Sequence, residues 1–393
     1  MVAEDAALVL LAAAAGLAIA SLAQMWLGAL WRGARARRRA ALPTNEPGTW
    51  PFVSVIVPAW NERATVRQCI AALRHVDYPA WETVVVAGGS DGTYEEAIRQ
   101  SGRLSNCQVI EQQPLGKPAA LNAGLRVTNG EIIVLLDADS LVSSQWLRAL
   151  VAPLDRVIGA ATGNPLPTRL TAISRTELME RIVVYEIRRA PILQGSGSIA
   201  IARDLIAEIG PFPEDAYADD WDLDARLAVR GIARGFCPGA VLRTERPATL
   251  GEYWRNEVRW RRAHLISLFQ LPHYFFRDVP STLRSLYPYV AAWLTALLTA
   301  LTLLVVLVGD PELSAGALAF WGIVIAWLVL GRVALVIQVI AYTGERRWLR
   351  DVWAPPVLFL ITLVAACVAS LTTRRATLDF KGPRRVVEDE SGL

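Results

Sequence analysis

Four apolar stretches set the outer limits on how this chain can fold. They run from about Ala6 to Trp31, and over Tyr287–Val308, Ala315–Tyr342 and Val352–Leu371. Each is near or above the roughly 20 residues that a helix needs to cross a hydrocarbon core. Between the first two, Pro51 to about Arg262 has ordinary soluble composition and is long enough for one α/β domain. The apolar fraction of 53%, high for a soluble protein, therefore belongs to the flanks. The organisation expected is an anchor with its basic flank (1–48), a cytoplasmic domain (49–262), interfacial helices (263–286), transmembrane helices (287–373) and a polar tail (374–393).

The first stretch is Ala-rich like a secretory signal, but its flanks have the wrong charge. Glu4 and Asp5 precede it, and Arg32, Arg35, Arg37, Arg38 and Arg39 follow, whereas a signal peptide opens with a positive region. The positive-inside rule then predicts an uncleaved anchor in the cytoplasmic membrane, N-terminus outside and soluble domain in the cytoplasm. At the other end the rule conflicts with itself. Starting from a cytoplasmic domain, three further crossings would leave the tail outside, although it carries Arg374, Arg375, Lys381, Arg384 and Arg385. One element is therefore expected not to be a simple span: either the last stretch, with Pro355-Pro356, or the aromatic segment His264–Phe276. Arg332, inside the third stretch, should face protein or water rather than lipid.

A net charge of +3 gives no nucleic-acid footprint, so the bilayer is the partner that the basic flank implies. Cys69, Cys107, Cys237 and Cys367 lie far apart, as do His75, His264 and His273, which argues against a zinc site and for free thiols in a reducing compartment.

Within the soluble segment, Val53–Pro58, Trp81–Ala87, Gln108–Glu111 and Ile132–Leu136 read as strands, and Arg63–Arg74, a segment from Thr93, and Pro118–Val127 as helices. Such alternation implies a parallel sheet with right-handed crossovers. The run Glu131–Leu136 ends in Asp137-Ala138-Asp139. In extended geometry residues i and i+2 share a side, so both carboxylates can emerge at a strand's carboxyl end, where open α/β sheets keep their ligand site. Two hard oxygen donors there suit Mg²⁺ or Mn²⁺ and a diphosphate; the other reading is an acidic turn.

Taken together, Val53–Glu62 (VSVIVPAWNE), Tyr78-Pro79, Gly116–Gly124 (GKPAALNAG), Asp137-Ala138-Asp139, Gly195-Ser196-Gly197, Ala218-Asp219-Asp220 and Arg259-Trp260 resemble the family 2 glycosyltransferases with a GT-A fold. The likeness covers roughly residues 50–265. With an anchor before and apolar stretches after, the chain is similar to membrane polysaccharide synthases of the cellulose, hyaluronan and poly-N-acetylglucosamine type. The resemblance implies a metal-dependent inverting transferase that uses a nucleotide-sugar donor, a UDP-sugar by preference. The acceptor would be a polysaccharide or a lipid-linked molecule, and a second copy or an accessory subunit could take part.

By the same resemblance Asp139 is a metal ligand and Asp137 contacts metal or ribose. Lys117 offers charge to the nucleotide, and Glu62 lines its pocket. Asp220 is the base that takes the acceptor's proton, although Asp219 and Asp220 could equally cap the helix that follows. Gly195, Ser196, Asp219 and Trp260 fall on the acceptor side, and Arg259 pairs with diphosphate oxygens. Two departures stand out. Asn256 replaces the glutamine of the Gln-x-x-Arg-Trp motif of processive synthases, which leaves room for a non-processive, glycolipid-forming enzyme. Ala87-Gly88-Gly89 stands where the family has base-contacting aspartates, so Asp91 would have to serve, and a silent scaffold subunit becomes an alternative.

Overall fold

The computed structural model describes residues 2–38, 48–154, 158–190, 192–195, 197–214, 219–309 and 311–373. Arg39, Ser196, Ala218 and the tail 374–393 lie outside the described residues.

Helix α1 (Val2–Arg37) is followed by β1 (Val53–Trp60), α2 (Arg63–Leu73), β2 (Trp81–Gly88), α3 (Thr93–Ser101), β3 (Cys107–Glu111), α4 (Lys117–Val127) and β4 (Ile132–Leu136). These strands form the parallel half of the sheet, in the order β3-β2-β1-β4. β1 and β4 are buried along almost their whole length, which is why both read as unbroken apolar runs. Alternate residues of β1 serve opposite layers. Val53, Val55 and Val57 pack on Val66, Ile70 and Leu73 of α2, while Ile56 meets Leu121 of α4.

The sheet then turns mixed, which the sequence pattern did not announce. β5 (Leu141–Val142), α5 (Trp146–Val151), β6 (Ile158–Pro167), α6 (Ala172–Arg181), a π-helical segment (Ile182–Ile187), β7 (Ser198–Ala202), α7 (Arg203–Ile209), α8 (Asp219–Val229) and β8 (Ala233–Thr244) complete it. The full order is β3-β2-β1-β4-β7-β6-β8-β5, with β7 antiparallel to β4 and β6 parallel to β8. The antiparallel β7 brings the loop before Ser198 back beside the end of β4.

The C-terminal part consists of α9 (Leu250–Gln270), α10 (Pro272–Phe275), α11 (Val279–Val308), α12 (Pro311–Thr343), a 3₁₀ turn (Arg346–Asp351) and α13 (Ala354–Thr372). Among the described residues, four helices are long and apolar enough to cross a membrane: Leu11–Arg37, Ser281–Val308, Pro311–Thr343 and Ala354–Thr372. Two relations among them bear on topology. α1 and α12 run side by side in the same direction: Trp327 donates to Ser21, Trp26 to the Leu330 carbonyl, and Gly33 lies against the Gln338 carbonyl. α13 instead runs along the charged helix α9, with Tyr253 bonded to Thr362 and Arg262 to Thr372. Pro355-Pro356 sits in the first turn of α13, where proline is tolerated, and so opens this helix rather than interrupting it. Arg332 stacks on Phe359 of α13, 3.9 Å from its ring centre, and so faces protein as expected.

Candidate functional site

Strand β4 delivers its two aspartates to different neighbours. The Asp137 N–H donates to the Gly197 carbonyl at 2.9 Å, and its carboxylate accepts from Lys117 Nζ at 2.8 Å. Asp139 accepts from Thr244 Oγ1, at the end of β8, at 3.1 Å. Lys117 is the first residue of α4 and bridges further, to Asp219 in the first turn of α8 at 3.1 Å. Recession into the crevice works against the ammonium's charge, but Asp137 and Asp219 outweigh it and hold Lys117 well above the ordinary lysine range.

Glu62 ends the β1 side of the same crevice. Burial, then the charges of Asp139 and Asp137, push its carboxyl up to about 7. Burial and Asp137 likewise raise Asp139. Glu62 and Asp139, both raised and both facing the charge of Asp137, form an arrangement that a divalent cation relieves. Among the described residues no group of three His, Cys, Asp or Glu side chains could hold a metal by itself. This donor set fits Mg²⁺ or Mn²⁺, which bind through one or two carboxylates and leave the other positions to water and phosphate.

Asp220 sits beside Asp219 at the start of α8. Its Oδ2 accepts from the Gly195 N–H at 3.0 Å and its Oδ1 from the Trp221 N–H. Burial, then the charge of Asp219, push its carboxyl up to about 6. Both aspartates belong to the helix itself, where carboxylates meet the positive end of the dipole. Deeper in α8, the fully buried Asp224 pairs with Arg234 at 2.8 Å and accepts from Tyr274 at 2.9 Å and from Gln194 at 3.2 Å. Gln194 precedes Gly195, so this network ties the loop to the helix that carries Asp220. Gly195 and Gly197 have φ of 66° and 71°, a region that a side chain strains.

Other expected residues are placed differently. Asp91 is occupied at the crevice rim: Oδ1 accepts from the Thr93 N–H and hydroxyl, and Oδ2 from the Arg63 N–H. Desolvation opposes its charge, but these bonds hold its carboxyl below the ordinary range. The glycines before it answer a packing demand, since a Cβ on Gly89 would lie 2.2 Å from Asn61 Oδ1, and φ there is 113°. On α9, Arg259 bonds to Asn256, one turn back, and Trp260 is half-buried. Sequence reasoning missed Thr244, the partner of Asp139, and the pair Arg181 and Arg246. Both arginines donate to the Gly195 carbonyl, at 2.8 and 2.6 Å. The Thr244-Glu245-Arg246 run at the end of β8 was the available signal.

A family model described as "Glycosyltransferase like family 2" matches residues 51–263. Among curated proteins, the "Probable glycosyltransferase YdaM" of Bacillus subtilis is 27% identical over 248 residues, covering 58% of this chain and 58% of that protein. The "Poly-beta-1,6-N-acetyl-D-glucosamine synthase" of Staphylococcus aureus (strain COL) is 23% identical over 219 residues, 53% of each. The chain thus spans between half and three fifths of the length of these relatives. Among solved structures, the mannosyltransferase PcManGT from Pyrobaculum calidifontis, in complex with GDP-Man and Mn²⁺, superposes with a TM-score of 0.62 at 23% identity. The match covers 91% of this chain and 99% of that one.

Proposed function

Since this chain belongs to glycosyltransferase-like family 2 and its α/β domain has the GT-A fold, we propose that it transfers a sugar from a nucleotide donor to a polysaccharide or lipid-linked acceptor at a membrane surface, with inversion. The observation that carries this reading is the Lys117 bridge, 2.8 Å to Asp137 and 3.1 Å to Asp219, which gathers the donor-side and acceptor-side carboxylates into one crevice. A divalent cation held by Asp139 and Asp137 would offset the charge that develops on the departing nucleoside diphosphate. Lys117 adds a point charge to the same phosphates, and Glu62 closes the pocket beside them. Asp220 takes the proton of the acceptor hydroxyl as its oxygen bonds to the anomeric carbon. The bond from that carbon to the diphosphate oxygen breaks in the same step. Arg259 and Trp260 act from α9, on the diphosphate and the acceptor sugar respectively. A uridine nucleotide is the favoured donor, with its base held by backbone groups of the Gly88–Asp91 loop, since both Asp91 oxygens already accept from Thr93 and Arg63.

We further read the membrane topology as three crossings, by α1, α11 and α12, with α13 lying in the interface. α1 and α12 run in the same direction, so the basic flank after α1 and the Arg346–Arg350 turn after α12 emerge on one face. α13 shares the depth of α9, whose Arg255, Arg259, Arg261 and Arg262 cannot enter lipid cheaply. The tail then stays on the cytoplasmic side with the catalytic domain, which removes the charge conflict.

The experiment is nucleoside diphosphate release by the purified chain over a panel of nucleotide sugars with Mg²⁺ or Mn²⁺. Release with a preferred donor, abolished by chelation and restored by added metal, is expected. No release with any donor, with lipid extract present, would overturn the reading in favour of a scaffold subunit.

A further inference from the structure

The two arginines on Gly195 are under-used by the chemistry described so far. Their shared ligand is one neutral carbonyl, and Arg181 Nε and Nη2 and Arg246 Nε are buried without a hydrogen-bond partner. Orphaned charged donors of this kind are costly unless something else satisfies them. Glu177, one turn before Arg181, is an acidic neighbour of both, yet its own Oε1 is also unpartnered. Burial, only partly opposed by Arg246, pushes Glu177 up to about 7. Burial, then Arg246, push Arg181 down to about 9. The result is a concentration of positive charge with open donors, joined through one residue, Gly195, to Asp220, which accepts from the Gly195 N–H.

We propose that Arg181 and Arg246 form a subsite for a phosphate on the acceptor, which makes the acceptor a phosphorylated lipid carrier bearing the sugar to be extended. Two guanidinium forks match phosphate oxygens in both charge and geometry. The position in the fold favours a lipid as the source. Arg181 closes α6, and the next residues of the π-helical segment, Ile182, Val183 and Ile187, form one apolar cluster with Ala36 of α1 and Val336 and Val339 of α12. The subsite therefore lies beside the place where the domain packs on the long apolar helices. The phosphate is held and not transferred; the hydroxyl that reacts, on the attached sugar, still gives its proton to Asp220. This inference rests on the transferase reading above and deepens it on the acceptor side. Arg246 also acts on Asp139, so the donor diphosphate is the competing occupant.

The test uses the full chain in nanodiscs, with farnesyl phosphate, farnesol, inorganic phosphate and UDP or GDP as separate probes, read by intrinsic tryptophan fluorescence. Farnesyl phosphate is expected to bind ~10-fold or more tightly than farnesol, the margin that charge-assisted bonds provide. Arg181→Gln and Arg246→Gln should each remove that margin, and Arg181→Gln should leave nucleotide affinity unchanged, which also shows that this variant is folded. Arg181→Lys should restore part of it. Equal binding of farnesol and farnesyl phosphate overturns the proposal. So does inorganic phosphate binding as tightly as the lipid, which would assign the pair to a soluble anion. Loss of nucleotide binding in the variants, with lipid binding intact, would assign the pair to the donor. Absence of nucleoside diphosphate release with every donor would sink the transferase reading, while the farnesyl phosphate comparison still decides this one.

Discussion

Asp220 makes opposite demands on stability and activity, and both can be measured. Its carboxyl is raised from an ordinary 3.8 to about 6 by burial and by Asp219. A raised carboxylate adds stability only while protonated, so its contribution is lost as pH rises through about 6, and the ionised form burdens the fold at neutral pH. At about 1.4 kcal/mol per tenfold change, the burden is at most about 3 kcal/mol. Asp220→Asn removes the charge but leaves one carbonyl oxygen where two oxygens now accept, from Gly195 and Trp221. That lost bond returns about 1 kcal/mol, for a net gain of about 1–2 kcal/mol. The variant should therefore melt a few degrees higher at pH 7.5, still bind nucleoside diphosphate, and lose ~10²- to 10⁴-fold in kcat/KM as a missing general base. In the wild type the base form is needed, so kcat/KM should fall below pH 6, reaching roughly one tenth of its plateau at pH 5. Asp219→Asn, which takes away the like charge, should move this limb to lower pH. A flat profile from pH 5 to 7.5, or an Asp220→Asn variant with more than a tenth of wild-type kcat/KM, would refute the assignment.

Three further outcomes are expected. Lys117→Met, which removes a charged donor near the phosphates, should weaken nucleoside diphosphate binding in calorimetry by ~10- to 100-fold, and an unchanged affinity would remove Lys117 from the donor site. Arg175→Ala strips the two bonds of 2.6 and 2.8 Å from Asp351, whose side chain is only 4% exposed, and leaves it the longer contact of 3.4 Å to Arg350; losing charge-assisted bonds costs about 1.5–3 kcal/mol, so the melting temperature should drop, whereas an unchanged melt would make the bridge dispensable. A protease-cleavable tag placed after residue 393 should be cut from the same side as a site inserted in the Arg346–Arg350 turn, and cutting from opposite sides would restore a fourth crossing.

The sequence was most legible where burial is simplest. β1 and β4, covered on both faces, could only be unbroken apolar runs, and the i, i+2 aspartates after β4 follow from strand geometry. The second half of the sheet was hidden because β6 contains Gly163, Pro165 and irregular register, and because the β4–β7 pairing is antiparallel and remote in sequence. The site was half-visible for a related reason. Motif order named Lys117, Asp137, Asp139 and Asp220, but the Lys117–Asp219 bridge exists only once α4 and α8 share one sheet edge. Arg181 carried no signal, being one arginine on an amphipathic helix until a π-helical turn and an antiparallel strand set it against Gly195. Hydropathy could not say which element, the last stretch or His264–Phe276, departs from a simple span, and by length and composition all four long helices could cross. Only the hydrogen bonds from α9 single out α13.

These contacts also limit how the enzyme can move. The catalytic domain meets the apolar helices at three independent places: the Arg175–Asp351 bridge, the cluster of Met179, Ile182 and Val183 with Val336 and Val339, and the length of α9 on α13. Rotating the domain about any one of them would break the other two, so a hinge between the domain and the apolar helices is disfavoured. Whatever closes over the substrates must therefore be smaller. The described residues next to this site are held at several points: Gln194 is tied to Asp224 and Tyr185, Gly195 bonds to Asp220 and to two cations, and the Gly197 carbonyl accepts from the Asp137 N–H. An incoming phosphate that drew Arg181 and Arg246 off the Gly195 carbonyl would leave Gly195 held to Asp220 by its N–H alone, so acceptor binding and the setting of the base would meet at one residue.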